Sequence, residues 1–334
     1  MNSCVVSVDV ITYNHKNYIR KCLDGILMQK TNFKFEVLIH DDASTDGTAD
    51  IIREYEAKYP DIIKPIYQTE NQFSKGISIS KTYQFPRIKG KYVALCEGDD
   101  YWIDENKLQK QVDFLEANPD FAICFHPVKV EWDDKREDET IYPKPKKRFN
   151  KTVLTLEDLL KRNFIQTNSV VYRWALGDGN GDKMPDGILP GDWFLHLLHA
   201  KTGKIGFIPD VMGVYHRHSG GIWTGCGKED AWFLRCGIPH LRFLKEMEKT
   251  FGVDKKNQFI EMGQKTVSAL LKHKQFEKVQ EILDMYPEQW EQIVPIPQDN
   301  KAIKKLKRLK NRCRLFQILS IVLMMVIAYL TIKQ

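Results

Sequence analysis

A regular cysteine pattern is one of several features that this sequence lacks. Its 334 residues include seven cysteines, an odd number, with no C-x-x-C pair and no regular spacing between them. That usage argues against a secreted disulfide scaffold or a zinc module, and it favours free thiols in a reducing compartment. A strand-like run begins within the first five residues, so we also expect no secretory signal peptide.

Two common phosphate-binding signatures are also missing. The sequence has neither a G-x-x-x-x-G-K-[ST] loop nor a G-x-G-x-x-G at a strand-to-helix turn, and it has no internal repeat. These absences exclude the standard NTPase and dinucleotide-binding motifs. A nucleotide diphosphate bridged to the protein by a metal ion stays compatible with the sequence.

The positive charge is concentrated in one short segment. The formal net charge is +6, but residues 301–314 hold a dense run of Lys and Arg without any Asp or Glu. The remainder of the chain is slightly acidic. We therefore predict no nucleic-acid partner, because overall basicity alone is weak evidence for one.

One long apolar run follows that basic segment. Residues 315–332 read LFQILSIVLMMVIAYLTI, 18 residues without a charge, which as a helix would be roughly 27 Å long, near the lower end for crossing a bilayer. A buried core helix and an in-plane membrane helix are the alternatives. We expect a membrane-anchoring helix that contacts lipid, with residues 1–314 on the cytoplasmic side of the cell membrane.

Strand and helix patterns alternate through the first 130 residues. Apolar periodicity predicts two helices, 17–29 and 106–118, and a third after the polar loop DDASTDGT. Runs rich in β-branched residues predict strands at 5–13, 35–40, 61–67, 91–96 and 121–130. This alternation predicts an α/β fold with a mainly parallel sheet flanked by helices. Residues 226–300 are predicted to be largely helical.

Polar residues cluster where three of the predicted strands end. Tyr13-Asn14 follows the first strand, Asp41-Asp42 the second, and the acids from Glu97 to Asp100 follow the strand at 91–96. In open parallel sheets, ligands bind outside the carboxyl ends of the strands. Carboxylates gathered there would repel one another unless a cation were bound, and Mg²⁺ or Mn²⁺ prefers such oxygen ligands.

Four segments carry a resemblance to a known family. In order they are VSVDVITYNHKNYIRKCLDGILMQ, FEVLIHDDASTDGT, GKYVALCEGDDYWIDENKLQKQVDFL and GDWFLHLLHAKTGKIGFIPDVMGVYHRHSGG. Together they resemble the inverting family 2 glycosyltransferases of the GT-A fold, above all those of bacterial surface-polysaccharide synthesis. The resemblance implies a GT-A domain over 1–225, with a nucleotide-sugar half at 1–130 and an acceptor half at 151–225.

The resemblance also implies a donor site. Thr12, Tyr13 and Asp42 would bracket the nucleotide base, with Asp41 supporting their loop. Asn14 and Asn71 would lie beside the nucleotide. Family members have Asp-x-Asp where this chain has Glu97-Gly98-Asp99, so Glu97 replaces the acid near the ribose and Asp99 is the expected metal ligand. Asp100 would either share that metal or bind backbone as a turn residue.

The acceptor half supplies the implied base. Asp192 matches the family's catalytic position, where it would take a proton from the acceptor hydroxyl, although Gly191 replaces the acid that usually precedes it. The alternative is a helix N-cap. His218 is the expected further metal or diphosphate ligand, and Arg217 could pair with phosphate. The residues predicted to contact the acceptor are Trp193, Arg217 and Trp223.

We therefore expect a metal-dependent enzyme that transfers sugar from a nucleotide-diphosphate donor, most simply a UDP-sugar. The acceptor would be a saccharide or a lipid-linked saccharide. A sugar nucleotidyltransferase and a catalytically inactive carbohydrate-binding or scaffold protein are the alternatives. The first usually has a basic glycine-rich loop near its N-terminus, which is missing here. The second is disfavoured by the acids after the second strand and after the strand at 91–96, together with Asp192.

Overall fold

The computed structural model describes residues 4–133, 140–143, 153–177, 184–221 and 229–294. The chain divides into two compact units, Met1–Gly187 with Gly191–Thr224, and Ile188–Pro190 with Gly225–Gln334. Within the described ranges, no helix is both long enough and apolar enough to cross a membrane. The predicted basic segment 301–314, the predicted membrane helix 315–332 and Trp223 all lie outside these ranges.

The first unit begins with the expected alternation of strands and helices. Its first half contains β1 (Cys4–Thr12), α1 (Ile19–Leu27), β2 (Lys34–Asp41), α2 (Thr48–Lys58), β3 (Ile63–Tyr67), β4 (Tyr92–Leu95), β5 (Tyr101–Trp102) and α3 (Lys107–Ala117). Short 3₁₀ and π turns at Phe73–Lys75, Ser80–Gln84 and Phe85–Arg87 join β3 to β4. The predicted strands and helices of this half are confirmed to within a few residues at each end.

The remaining elements of the unit complete two sheets. They are β6 (Phe121–Phe125), β7 (Val128–Trp132), β8 (Thr140–Tyr142), β9 (Val153–Leu154), α4 (Leu156–Lys161), β10 (Val171–Arg173), α5 (Gly191–Ala200), β11 (Lys204–Phe207) and β12 (Gly213–Arg217). The large sheet has the order β3-β2-β1-β4-β10-β6-β11-β9. Only β10 and β9 run antiparallel to their neighbours, so the predicted mainly parallel sheet is confirmed.

A second sheet of four strands was not predicted. Its order is β5-β12-β7-β8. We predicted one strand over 121–130, and this was wrong, because the chain leaves the large sheet after Phe125 and enters the small sheet at Val128. Pro127 lies at the break, and a proline cannot donate a ladder hydrogen bond. The small sheet matters for function because β12 pairs with β5, which directly follows the acids at 97–100.

The second unit is helical within the part of it that is described. It contains α6 (Glu229–Phe251), α7 (Lys256–Lys272), α8 (Phe276–Met285) and α9 (Trp290–Ile293). Helices α6 and α7 approach closely at Gly237, where an added Cβ would lie 2.5 Å from the Thr266 side chain. The rings of Phe259 and Tyr286 pack 3.7 Å apart between centroids. The predicted helical character of this region is confirmed.

Helix α1 packs closely against β5, and this contact fixes the strand that follows the acidic loop. Gly25 faces the backbone of Trp102, and an added Cβ would lie 2.7 Å from the Trp102 carbonyl oxygen. The Trp102 side chain is buried, and its Nε1 donates to the carbonyl oxygen of Asn168 at 2.9 Å. The absence of a side chain at position 25 therefore lets the helix support the acidic loop.

We predict that Gly25→Ala destabilises the protein by about 1–3 kcal/mol, because the new methyl group meets backbone that cannot rotate away. Thermal unfolding of the full chain, followed by tryptophan fluorescence, measures the effect. Gly177→Ala is the matched control, since its Cβ would lie 3.6 Å from the nearest atom, Trp174 Nε1. Equal midpoints for the two variants would contradict this packing argument.

Candidate active site

The carboxyl ends of β1, β2 and β4 lie side by side and are joined by backbone hydrogen bonds. Strand β1 pairs in parallel with β2 on one side and with β4 on the other. Beyond the strands, the Asp42 N–H donates to the Thr12 carbonyl oxygen and the Gly98 N–H to the Ile11 carbonyl oxygen, both at 3.0 Å. An added Cβ at Gly98 would lie 2.5 Å from Thr12 Oγ1. The three polar strand ends thus meet at one edge of the sheet.

The two aspartates after β2 have different surroundings. The Asp42 side chain is buried, and its carboxylate accepts the backbone N–H groups of Gln72 at 2.8 Å and Phe73 at 3.0 Å. Asn71 Nδ2 donates to the Asp42 carbonyl oxygen at 3.1 Å. Asp42 therefore supports the loop at 72–73. Contact between Asp42 and a nucleotide base stays a prediction.

One carboxylate oxygen of Asp41 has no hydrogen-bond partner among the described residues. One carboxylate oxygen accepts the Ser44 N–H at 3.2 Å, whereas Oδ1 is buried and unpaired among the described residues. Burial raises the pKa of this carboxyl. Beside it, Tyr13 is 44% exposed, and Asn14 has a left-handed backbone with φ of 55°. The N–H of Asn14 donates to Ser44 Oγ at 2.8 Å, which ties the ends of β1 and β2 together.

Asp99 lies between two histidines. His218 Nε2 is 3.0 Å from Asp99 Oδ2, and His15 Nε2 is 3.8 Å from the same oxygen. Burial opposes ionisation of Asp99, but the hydrogen bond from His218 and the charge of His15 outweigh it and lower its pKa. Burial lowers the pKa of His15. The predicted residues Asp99 and His218 are brought together, and our sequence reasoning missed His15.

Glu97 and Asp100 complete an acidic group around Asp99. The buried Asp100 accepts the His216 N–H at 2.9 Å through Oδ1, and its Oδ2 has no partner within the described part of the chain. Glu97 reaches solvent. Even so, the surrounding protein desolvates its carboxyl, and the charges of Asp99 and Asp192 add to that effect, raising its pKa to about 8. The shift reports burial first and neighbouring negative charge second.

These residues fit a divalent cation. The ligand atoms of Glu97, Asp99 and Asp100 lie within 4.8 Å of one another, and so do those of His15, Asp99 and His218. Two of the carboxylate oxygens, Asp99 Oδ1 and Asp100 Oδ2, are buried and lack a hydrogen-bond partner among the described residues. Unpaired buried oxygens are unfavourable unless a bound ion or water satisfies them. Asp100 binds backbone, as one alternative predicted, and its metal contact stays a prediction.

Asp192 lies in the first turn of α5, in the predicted acceptor half. The helix begins at Gly191, so Asp192 is its second residue and not its N-cap. Thr167 Oγ1 donates to Asp192 Oδ2 at 3.2 Å. Burial raises the pKa of this carboxyl, while the Thr167 hydrogen bond partly opposes the rise. A carboxylate with a raised pKa accepts a proton more readily, as a general base must.

Two of the three predicted acceptor residues, Trp193 and Arg217, have partners inside the protein. Trp193 Nε1 donates to the carbonyl oxygen of Leu159 at 3.0 Å, so its polar edge is engaged. The Arg217 guanidinium lies over the rings of Trp132 and Tyr215, 4.9 and 5.1 Å from their centroids. Contact of Trp193 or Arg217 with a ligand stays a prediction. Trp223 lies outside the described residues.

Comparison with known proteins identifies the class of protein that this fold and site define. Residues 7–218 match the family described as Glycosyl transferase family 2, and the chain belongs to that family. The fold is also similar to that of Staphylococcus aureus TarS 1–349 in complex with UDP-GlcNAc. That likeness has a TM-score of 0.52 and 19% identity, covering 88% of this chain and 95% of the other.

Two bacterial relatives are more similar in sequence. An uncharacterized protein of Mycobacterium tuberculosis is 45% identical over 218 residues, or 65% of this chain. The chain spans about 60% of that relative's length. The putative teichuronic acid biosynthesis glycosyltransferase TuaG of Bacillus subtilis is 37% identical over 248 residues, covering 72% of this chain and 91% of TuaG.

We predict that Asp42→Ala speeds amide hydrogen exchange at Gln72 and Phe73 by roughly tenfold to a hundredfold, since hydrogen bonds to charged groups contribute about 1.5–3 kcal/mol. Asp41→Ala is the matched control, because the Asp41 carboxylate accepts the Ser44 N–H and neither of these amides. Hydrogen exchange followed by mass spectrometry separates the two variants. Unchanged exchange in Asp42→Ala would show that this carboxylate does not support the loop.

Proposed function

We propose that this chain is an inverting glycosyltransferase that uses a nucleotide-diphosphate sugar, most simply a UDP-sugar. It would transfer the sugar to a hydroxyl of a saccharide or lipid-linked acceptor in cell-surface polysaccharide synthesis. One observation carries the proposal: the ends of β1, β2 and β4 meet at one edge, and hydrogen bonds connect Asp192 to Thr167 and the neighbouring Asn168 to Trp102, which follows the acids after β4. Donor-binding acids and a candidate base therefore share one crevice.

In the proposed step, Asp192 acts as the general base. Its carboxylate accepts the proton of the acceptor hydroxyl as that oxygen forms a bond to the anomeric carbon. The bond from the anomeric carbon to the donor phosphate oxygen breaks, and the nucleotide diphosphate leaves with the electron pair. Attack opposite the leaving group inverts the anomeric configuration. Thr167 positions the base through its hydrogen bond to Asp192 Oδ2.

The departing diphosphate needs positive charge near it. Asp99, with Asp100 and His218, would hold Mg²⁺ or Mn²⁺, which when bound supplies charge neutralisation for the developing phosphate charge. The unpaired oxygens of Asp99 and Asp100 support this assignment. On the nucleoside side, the exposed ring of Tyr13 is available to a base. Asp42 would act indirectly, by holding the loop at 72–73.

Two similarities support the substrate classes. The structural neighbour TarS is described in complex with UDP-GlcNAc, which favours a UDP-sugar as donor. TuaG is described as a putative teichuronic acid biosynthesis glycosyltransferase, which favours a surface-polysaccharide acceptor. An acceptor attached to a lipid carrier is consistent with the apolar run at 315–332.

We predict that Asp192→Asn lowers turnover by roughly 10²–10⁴-fold, the usual contribution of a general base, while leaving donor affinity nearly unchanged. Nucleotide release from UDP-, GDP- and dTDP-sugars, with Mn²⁺ and extracted lipid-linked acceptors, measures turnover. Asp210→Asn is the matched control, because Asp210 is an exposed partner of Lys110. Wild-type turnover in Asp192→Asn would refute the base assignment, and no release from any donor would refute the proposed transfer.

The raised pKa of Asp192 predicts how the activity depends on pH. The carboxyl must be ionised to accept a proton, so activity falls as pH drops through its pKa, which lies above that of an ordinary aspartate. The Thr167 hydroxyl lowers that pKa. Thr167→Val should therefore move the acidic limb of the kcat profile to higher pH. An acidic limb that stays in place would contradict the role of Thr167.

We also propose that residues 315–332 hold the enzyme at the cell membrane, with the active site on the cytoplasmic side. The support is the uncharged run itself and its basic flank at 301–314, which would attract anionic lipid. Deleting 315–334 should move the protein from the membrane pellet to the supernatant after ultracentrifugation. A deletion variant that still sediments with membranes would contradict the anchor.

A further inference from the structure

His15 has the surroundings of a metal ligand, although no part of the sequence pattern assigned it that role. It lies just beyond the end of β1, and its Nε2 faces Asp99 Oδ2 at 3.8 Å. Its other ring nitrogen, Nδ1, pairs with Thr12 Oγ1 at 3.1 Å. Ligating histidines are usually held in this way, with one nitrogen hydrogen-bonded to a neighbour and the other directed at the metal.

His218 approaches the same oxygen from a different direction. Its Nε2 lies 3.0 Å from Asp99 Oδ2, and its ring is nearly perpendicular to that of His15, with centroids 5.8 Å apart. Tyr18 packs against the His218 ring at 4.6 Å and contacts the His15 ring edge-on at 6.2 Å. The two imidazoles and Asp99 are all more than four-fifths buried. Packing therefore limits the rotation of both rings.

We propose that His15 is a further ligand of the metal at Asp99 and His218, so that the site has two imidazole nitrogens and one carboxylate for a transition-metal ion such as Mn²⁺. The inference rests on the proposed function, because the same metal would face the donor diphosphate. The ligand atoms of the three residues lie within 4.8 Å of one another. First-row transition ions accept imidazole nitrogen, whereas Mg²⁺ is bound through oxygen and keeps much of its water.

The acidic group next to this site offers the competing arrangement. Asp99 belongs to both sets, since Glu97 and Asp100 also lie within reach of it. Asp99 Oδ2 faces the histidines, while Asp99 Oδ1 and Asp100 Oδ2 are buried without a hydrogen-bond partner among the described residues. A metal held by the carboxylates alone would leave both imidazoles as neighbours of Asp99, with no nitrogen bound to the ion. The two arrangements differ in the atoms that touch the metal.

The two metal arrangements can be distinguished by pulsed electron paramagnetic resonance of Mn²⁺ bound to the full-length protein without nucleotide. Electron spin echo modulation should show coupling to two imidazole nitrogens in the wild type and to one in His15→Gln or His218→Gln. His273→Gln is the matched control, because His273 follows α7 in the second unit. Wild-type protein without nitrogen coupling, or His15→Gln with unchanged coupling, would overturn the proposal.

The affinities of the protein for Mn²⁺ and Mg²⁺ give a second readout. His15→Gln should weaken Mn²⁺ binding by roughly 10- to 100-fold, the range typical for losing a group that supports a metal site, and weaken Mg²⁺ binding less. Equal losses for the two ions, in a variant whose thermal midpoint matches the wild type, would argue against the histidine site. Failure of the proposed function would look different: nitrogen coupling would persist while no donor sugar was transferred.

Discussion

Parallel pairing of β1 with both β2 and β4 is the constraint on which the site depends. It places the polar ends of three strands at one sheet edge and gathers several carboxyl groups there. Their mutual repulsion is partly offset because each carboxylate has its own hydrogen-bond partners. Asp42 is held by two backbone N–H groups, Asp99 by histidine, and Asp100 by the His216 N–H. A bound cation would complete that compensation.

The sheet and its polar edge could be predicted because they follow from periodicity and from the geometry of parallel strands. The small sheet could not, since it depends on Pro127 ending one ladder and on β12 returning to pair with β5. His15 was not predicted because none of the motifs assigns it a role, although its position just beyond β1 is an available signal. The different surroundings of Asp41 and Asp42 could not be predicted from the sequence, because adjacent carboxylates are distinguished by which backbone amides face them.

Helix α5 and the small sheet add polar groups to those at the strand ends. Helix α5 presents Asp192 in its first turn, where burial raises the pKa and Thr167 supplies a single hydrogen bond. The small sheet brings His216 and His218 to the acids after β4. The proposed donor-side and acceptor-side groups therefore come from distant parts of one unit, which explains why short motifs alone describe the site incompletely.

The stereochemistry of the product shows whether the reaction is a single displacement assisted by one carboxylate base. Proton NMR of the product formed from an α-linked nucleotide sugar reports the configuration of the new glycosidic bond. We expect a β linkage from the first turnover, because the acceptor oxygen attacks opposite the departing diphosphate. An α linkage would contradict it, since retention requires a different reaction course from the one assigned to Asp192.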